Sequence, residues 1–294
     1  MLTKKSFAKI NLYLEVNGRS QNGYRLLNSL MVLIDIFDLI TIQKSDGLEL
    51  EIKTEKNILF SQNWQQNIII KTTNLLAEKF GFTPKIKITL EKHIPIAAGL
   101  GGGSSNAAVV MLLLNDFYQL NLSKKQLLEL GLKIGADVPF FLNSYLKEQS
   151  QNKLTFVSGV GEVLQDCSVF LPDFYLLIVN PKKSLSTKEV FDLFAKEAVY
   201  KPYKINEDAN FDLLKLIKNH CNDLEKPATK MMPEIALILD AFRQQEKCLL
   251  GRMSGSGASC FGIFSNSADL ENCYHEMQKT FPEFYLKKSK FIFG

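Results

Sequence analysis

The sequence predicts an α+β protein built from two sheet-and-helix domains. Three observations carry that expectation. The chain has 294 residues, more than one small core needs and enough for two. Segments of period-two alternation stand beside segments of helical periodicity, without a strict strand–helix–strand rhythm. A polar stretch, "LKEQSQNKL" at 146–154, interrupts the chain near its middle. It reads as a boundary or a long hairpin and divides residues 1–154 from residues 155–294.

Taken in order, "SFAKINLYLEV" alternates, with Ala8, Ile10, Leu12, Leu14 and Val16 on one face and Lys9, Asn11, Tyr13 and Glu15 on the other. On such a strand Lys9 and Asn11 lie about 6.6 Å apart on the same side. Residues 30–43 and 85–92 read as the next strands, with a helix over 68–80 between them. "SKKQLLELGLKIG" opens with a capping box at Ser123 and Gln126 and closes at Gly135. In the second half, strands are expected over 174–179 and 258–264, and helices over 187–195, 211–218 and 234–245.

Composition narrows the function. With 46% hydrophobic and 22% charged residues, chain-wide disorder is excluded. Net charge is +4, and the lysines fall in scattered pairs (Lys4-Lys5, Lys182-Lys183, Lys287-Lys288) instead of a basic stripe. No nucleic-acid partner is expected, and the balance suits a small anionic substrate equally well. The five cysteines, Cys167, Cys221, Cys248, Cys260 and Cys273, form no CxxC pair, which points to reduced thiols and a cytoplasmic location. The N-terminus turns polar at Lys9 and Asn11, so neither a signal peptide nor a transit peptide is expected. The longest clean apolar run, 107–114, is too short for the ~20 residues of a membrane span. No membrane partner is expected, and the oligomeric state is not legible.

The most informative stretch is "IPIAAGLGGGSSNAAVVMLLLN". It lacks the lysine of a P-loop, and the dinucleotide fingerprint fails where Ser104 takes the place of the third glycine. The physics common to both survives. Gly99, Gly101, Gly102 and Gly103 permit positive φ and close approach of a ligand to bare backbone. Ser104, Ser105 and Asn106 follow at the mouth of an apolar helix over 107–114, whose first turn attracts an anion by up to ~2 kcal/mol. A helix apolar nearly all round must be buried, which holds its start rigid. The bland alternative is a tight turn with a serine cap, but three consecutive glycines exceed what a cap requires.

Other stretches offer chemistry. A lysine such as Lys9, projecting toward a cleft, suits a phosphate or a carboxylate; on an isolated strand it would be an ordinary surface lysine. In "GADVPFFL", Gly135 ends a helix and Pro139 pushes Val138 toward an extended conformation. Asp137 is then held in a short corner beside Val138, Phe140 and Phe141, where a plain turn aspartate is the alternative. "GRMSGSGASCFGIF" places Gly255, Ser256 and Gly257 ahead of a strand. His93, His220 and His275 have no evident chemical role.

Together "FAKINLYLEV", "PIAAGLGGGSSNAA", "GADVPFFL", "SGVGEVL" and "GRMSGSGASCFGIF" resemble, in order from Phe7 to Phe264, the motifs of the GHMP kinases. The resemblance implies a two-domain GHMP-kinase-like α+β fold with the active site in the cleft between domains. It further implies an enzyme that uses ATP as phosphoryl donor together with Mg2+. Pro95, Ile96, Ala97, Ala98, Gly99, Leu100, Gly101, Gly102, Gly103, Ser104 and Ser105 would bind ATP, with Asn67 and Lys92 at its adenine end. Asp137 would accept or orient the attacking hydroxyl's proton, and Lys9 would pair with it and offset negative charge on the transferring group. Ser105 is the hydroxyl offered to magnesium; no carboxylate ligand is identified.

The serine-rich form of the loop is similar to the branch whose acceptor is a cytidine diphosphate derivative of methylerythritol, phosphorylated on carbon 2. In that branch Asn11, Tyr24, Arg25, Phe191, Gly255 and Ser256 would meet the acceptor, with Tyr24 and Phe191 on opposite sides of the base. The branch reads Gly-Tyr-His where this chain has Gly23, Tyr24 and Arg25. The arginine side chain donates hydrogen bonds and accepts none, so it cannot receive the exocyclic amine of cytosine. Readout by the backbone of residue 25 would tolerate arginine, which could then stack on the base, whereas a required imidazole would mean looser base specificity. Competing readings are a GHMP kinase for homoserine, mevalonate or a sugar, and a nucleotide-binding module without turnover. Retention of Lys9 and Asp137 disfavours the latter.

Overall fold

The alternating N-terminal segment forms β1 (Leu2–Arg19), antiparallel to the long β2 (Arg25–Lys44). This computed structural model describes residues 1–20, 23, 25–54, 58–59, 64–147, 153–168, 173–198, 200 and 212–292. The first half continues with β3 (Leu48–Lys53), β4 (Ile58–Leu59), α1 (Ile68–Phe80), β5 (Ile86–Glu91), α2 (Gly102–Phe117), α3 (Lys124–Ile134), α4 (Val138–Tyr145), β6 (Lys153–Gly159) and β7 (Val163–Ser168). The second half adds β8 (Tyr175–Asn180), α5 (Thr187–Glu197), α6 (Leu213–Asn219), α7 (Glu225–Met231), α8 (Pro233–Gln244), β9 (Leu250–Met253), β10 (Cys260–Phe264), α9 (Ser267–Thr280) and β11 (Tyr285–Ile292).

The strands follow the order β4-β3-β5-β2-β11-β8-β10-β9, with β1 and β6 also on β2 and β7 on β6. β11 is the seam: Phe291 and Ile292 pair with β2, while Tyr285 to Lys290 pair with β8. The boundary expected between residues 154 and 155 falls inside β6, which pairs with β2, so the sheet does not divide there. Residues 148–152 of the polar stretch lie outside the described residues.

Three apolar clusters hold the molecule. One sets α1–α4 against β2 and β5, another sets α5, α7, α8 and α9 against β8–β10, and the third joins β1, β2, β8 and β10. α2 is central to the first, with every residue from Ser105 to Leu114 buried. Each fully buried large aliphatic side chain there contributes roughly 1.5–3 kcal/mol, so this helix has little freedom to shift.

The structure corrects several expectations. On β1 the polar face holds more than the cleft-facing Lys9 and Asn11: residues 8–16 are buried throughout, Tyr13 and Glu15 included. α2 begins at Gly102, five residues before the expected 107, because glycine and serine continue a helix whose body is fixed by burial. Pro139 does not hold Val138 extended: both lie in the first turn of α4, where proline's missing N–H costs nothing. The helix expected over 211–218 is α6, with Phe211 outside the described residues. No helix among the described residues is long and apolar enough to cross a membrane.

Candidate active site

The glycine loop and the residues after it wall a cavity of about 780 Å³. Gly101 takes the left-handed conformation (φ +68°) and is the N-cap of α2, with no side-chain cap. The first intrahelical backbone bond of the turn is donated by Ser105 N–H to Gly101 O, 2.9 Å. The N–H groups of Gly102, Gly103 and Ser104 precede it and are the orphan donors of the helix start. Pro95 to Ser104 all line the cavity, which suits an anionic ligand at this end.

Ser105 departs from expectation. It is fully buried, and its Oγ lies 2.7 Å from Ser6 Oγ and 2.7 Å from the Tyr145 hydroxyl. One further step of about 100° around the helix turns it inward, so it anchors α2 and does not face the cavity. Tyr145 Oη also accepts from Phe7 N–H at 2.8 Å, and Ser6 Oγ lies 2.6 Å from Asn106 Oδ1. Burial pushes the Tyr145 phenol well up, so it stays neutral. Thus β1, α2 and α4 meet at one hydroxyl cluster behind the helix start.

Lys9 is 3% exposed, and its backbone N–H donates to Leu100 O at 2.9 Å. Its Nζ donates to Asn11 Oδ1 at 2.5 Å and lies 3.5 Å from Asp137 Oδ2. Asn11 is held from its other end by Nδ2 donating to Ser29 Oγ, 2.8 Å. Asp137 is the N-cap of α4 but makes no capping bond, and its side chain is 32% exposed to the cavity. Lys9, Asn11 and Asp137 all line the cavity, beside the start of α2.

Asn67 and Lys92 also line it. The Asn67 side chain caps α1 by accepting from Ile69 N–H at 2.9 Å. Lys92 Nζ lies 2.6 Å from Asp38 Oδ2, and it would be 3.2 Å from a Cβ placed on Gly102. It therefore sits against the first turn of α2. Burial pushes the Lys92 ammonium below the usual lysine range, while the Asp38 carboxylate opposes this. Asp38 is fully buried and its Oδ1 accepts from both His93 and Ile94 N–H at 2.8 Å, which fixes the entry to the glycine loop.

Gly255, Ser256, Thr187, Phe191 and Leu224 bring the second half of the chain into the cavity lining. The 254–257 loop touches the glycine loop directly: Ser254 Oγ donates to Gly99 O at 3.0 Å and Ser259 N–H to Ala98 O at 3.1 Å. Ser256 Oγ is 2.8 Å from Thr187 Oγ1. Arg25 is beside the cavity and not in its lining. Its Nη2 donates to Phe191 O at 3.4 Å and lies 3.5 Å from Asp192 Oδ1, while Nη1 is buried with no partner among the described residues. Tyr24 lies outside the described residues.

Family models for the GHMP kinases N terminal domain and the GHMP kinases C terminal match residues 67–145 and 209–283. A 4-diphosphocytidyl-2-C-methyl-D-erythritol kinase from Wolbachia sp. subsp. Drosophila simulans (strain wRi) is 36% identical over 98% of each chain. The chain belongs to that family of GHMP kinases. A family member from Clostridioides difficile (strain 630) is 34% identical over 97% of this chain and 94% of its own. A solved 4-(cytidine 5'-diphospho)-2C-methyl-D-erythritol kinase superposes with a TM-score of 0.76 at 26% identity, covering 98% of this chain and 99% of that one. The Methanococcus jannaschii mevalonate kinase shares the fold, with a TM-score of 0.68 at 16% identity over 99% and 98% of the two chains. Membership of the GHMP kinases makes ATP the phosphoryl donor and a small molecule the acceptor.

Sequence reasoning missed Asp38, Ser6, Tyr145, Thr187, Asn222 and Leu224. A signal existed for Asp38, one of two carboxylates (with Asp35) inside the apolar run "IDIFDLI", since a buried charge demands partners. The magnesium donor set can also be tested. Among the described residues no group of three or more His, Cys, Asp or Glu is placed to hold a metal. Asp137 is the one carboxylate among the described lining residues, and Ser104 supplies a hydroxyl at the start of α2. Such sparse provision fits an ion held chiefly by substrate phosphates and water.

Proposed function

We propose that this chain transfers the γ-phosphoryl group of ATP to the 2-hydroxyl of 4-diphosphocytidyl-2-C-methyl-D-erythritol, giving the 2-phosphate and ADP in the non-mevalonate route to isoprenoid precursors. The observation that carries it is one cavity in which the Lys9–Asp137 pair, 3.5 Å apart, stands at the start of α2. Phosphoryl transfer needs little beyond positioning and charge stabilisation, and those are what this wall supplies.

The N–H groups of Gly102, Gly103 and Ser104 and the Lys92 ammonium hold the anionic tail of the nucleotide. Asp137 orients the attacking hydroxyl and takes its proton. Lys9, kept from swinging by Asn11, offsets the charge that builds on the transferring oxygens. Mg2+ bound with the phosphates would neutralise them further, with the Ser104 hydroxyl as its protein ligand. Asn11, Phe191, Gly255 and Ser256 bound the acceptor, and Tyr24 belongs to the same side by its place in the sequence.

A coupled assay of ADP release tests the reading, with the diphosphocytidyl acceptor run beside mevalonate and homoserine. Turnover confined to the diphosphocytidyl compound is the expected result; a preference for either other acceptor would sink it. A second expectation concerns Arg25, whose exposed tie to Asp192 is worth little. Arg25→His gains an acceptor for the exocyclic amine, and should lower the KM of the cytidyl acceptor by about three- to tenfold with the KM of ATP unmoved. A matched change in both constants would place Arg25 away from the base.

A further inference from the structure

Asn222, between α6 and α7, is 5% exposed and its side chain is fully engaged. Nδ2 donates to the carbonyls of Met253 and Gly255, each at 2.8 Å, and Oδ1 accepts from Leu224 N–H at 3.0 Å. The main chain on either side is laced to β1: Leu14 N–H donates to Cys221 O at 3.0 Å, and Asp223 N–H donates to Leu14 O at 2.9 Å. Asp223 Oδ2 accepts from Val16 N–H at 2.9 Å. The Asn222 amide therefore joins the 254–257 loop to Leu224 in the cavity wall, and its two neighbours tie this segment to the strand that carries Asn11.

The consequence lies in the Gly255–Ser256 peptide. A trans peptide directs its C=O and N–H to opposite sides. With Gly255 O held by Asn222, the Ser256 N–H is turned the other way, and both residues line the cavity. Neither the Gly255 nor the Ser256 N–H has an acceptor among the described residues. Successive free N–H groups in a turn containing a left-handed residue (Gly255, φ +58°) make a concavity suited to an anion. Charge points the same way. The lining cations are Lys9 and Lys92, and both lie against the start of α2. A second anionic group on the acceptor must find its donors elsewhere.

We propose that Asn222 is a positioning residue that locks the Gly255–Ser256 peptide so that the Ser256 N–H donates to a diphosphate oxygen of the acceptor. This rests on the function proposed above. The site takes a phosphate ester, and Asn222 acts on it only through the loop.

The test uses the full chain and two variants. Asn222→Asp is isosteric and keeps the oxygen that accepts from Leu224 but loses both donors; Asn222→Ala loses everything. Both should raise the KM of the diphosphocytidyl acceptor about tenfold or more, the worth of a charge-assisted hydrogen bond, with affinity for a non-hydrolysable ATP analogue within about twofold. A purely structural role would not move the third readout, the binding preference of the protein for cytidine diphosphate over cytidine. That preference should collapse in both variants. Equal weakening of the two ligands, equal weakening of nucleotide and acceptor, or a KM near that of the parent overturns the proposal. Should Asn222→Ala fail to fold, Asn222→Asp alone decides. Failure of the parent to phosphorylate the acceptor removes the functional reading itself, a result distinct from any difference between parent and variants.

Discussion

Asp137→Asn is expected to lower kcat by about 10³-fold, within the range a positioned acid–base group contributes, and to leave ATP affinity nearly unchanged. The substitution keeps size and shape and removes the charge. α4 should not notice, because Asp137 makes no capping bond there and asparagine is as good at an N-cap as aspartate. The nucleotide end should not notice either, since the donors at Gly102, Gly103 and Ser104 belong to a different helix. What changes is the pair with Lys9. Its ammonium, buried and still bonded to Asn11, loses its carboxylate, and the acceptor hydroxyl loses the group that takes its proton. Single-turnover rates with titration of a non-hydrolysable ATP analogue separate the two effects. Near-normal turnover would remove Asp137 from the mechanism, and a parallel loss of nucleotide affinity would assign it to binding.

Much of the site was legible because its chemistry is local in sequence. The glycine loop carries its own donors, and two-residue spacing on one strand brings Lys9 to Asn11. Lys9 and Asp137 are far apart in sequence, and only the resemblance to a known family joined them. The parts that could not be read are those that depend on what packs behind them. Nothing in "GGGSSNAA" says which serine faces the cavity; the direction of burial of α2 decides it, and it sends Ser105 inward to Tyr145. Similarly Lys92 is drawn to the start of α2 by Asp38, on a strand reached only through the β2–β5 pairing.

Element boundaries tell the same story. Pro139 biases its predecessor toward extended backbone, yet α4 starts there because Phe140, Phe141 and Leu142 are buried against the first core. Some elements were readable and went unread. α9 carries an Asn266 cap and buries Leu270, Cys273 and Met277 on one stripe, an ordinary amphipathic signature. β11 gave no comparable warning. Its lysines are exposed, and its place between β2 and β8 is a matter of topology.

Gly99→Ala carries the largest structural effect expected in the molecule, and it tests whether the two halves of the cavity wall must touch. Gly99 has φ +74°, and a Cβ there would lie 2.2 Å from Ser254 O and 2.8 Å from Gly257 O. Both obstacles are backbone, so no side chain can swing aside. The Ser254–Gly99 and Ser259–Ala98 hydrogen bonds would have to break for the loops to part. Left-handed strain adds about 1–2 kcal/mol to the loss of those contacts, and a total of roughly 3–4 kcal/mol is at the upper end for one substitution. Parting the loops also moves Gly255 and Ser256 away from Asn11, so kcat/KM should fall by about 10²-fold or more, as it does for ångström-scale misplacement. Gly103→Ala is the stability control, since its Cβ would meet nothing nearer than Ile68 Cγ2 at 3.9 Å and it sits in helical backbone. Alanine there should leave stability level or raise it by up to ~1 kcal/mol. Denaturant melts of the two variants side by side give the answer. If Gly99→Ala were as stable as Gly103→Ala, the contact between the glycine loop and the 254–257 loop would not be what closes this wall of the cavity.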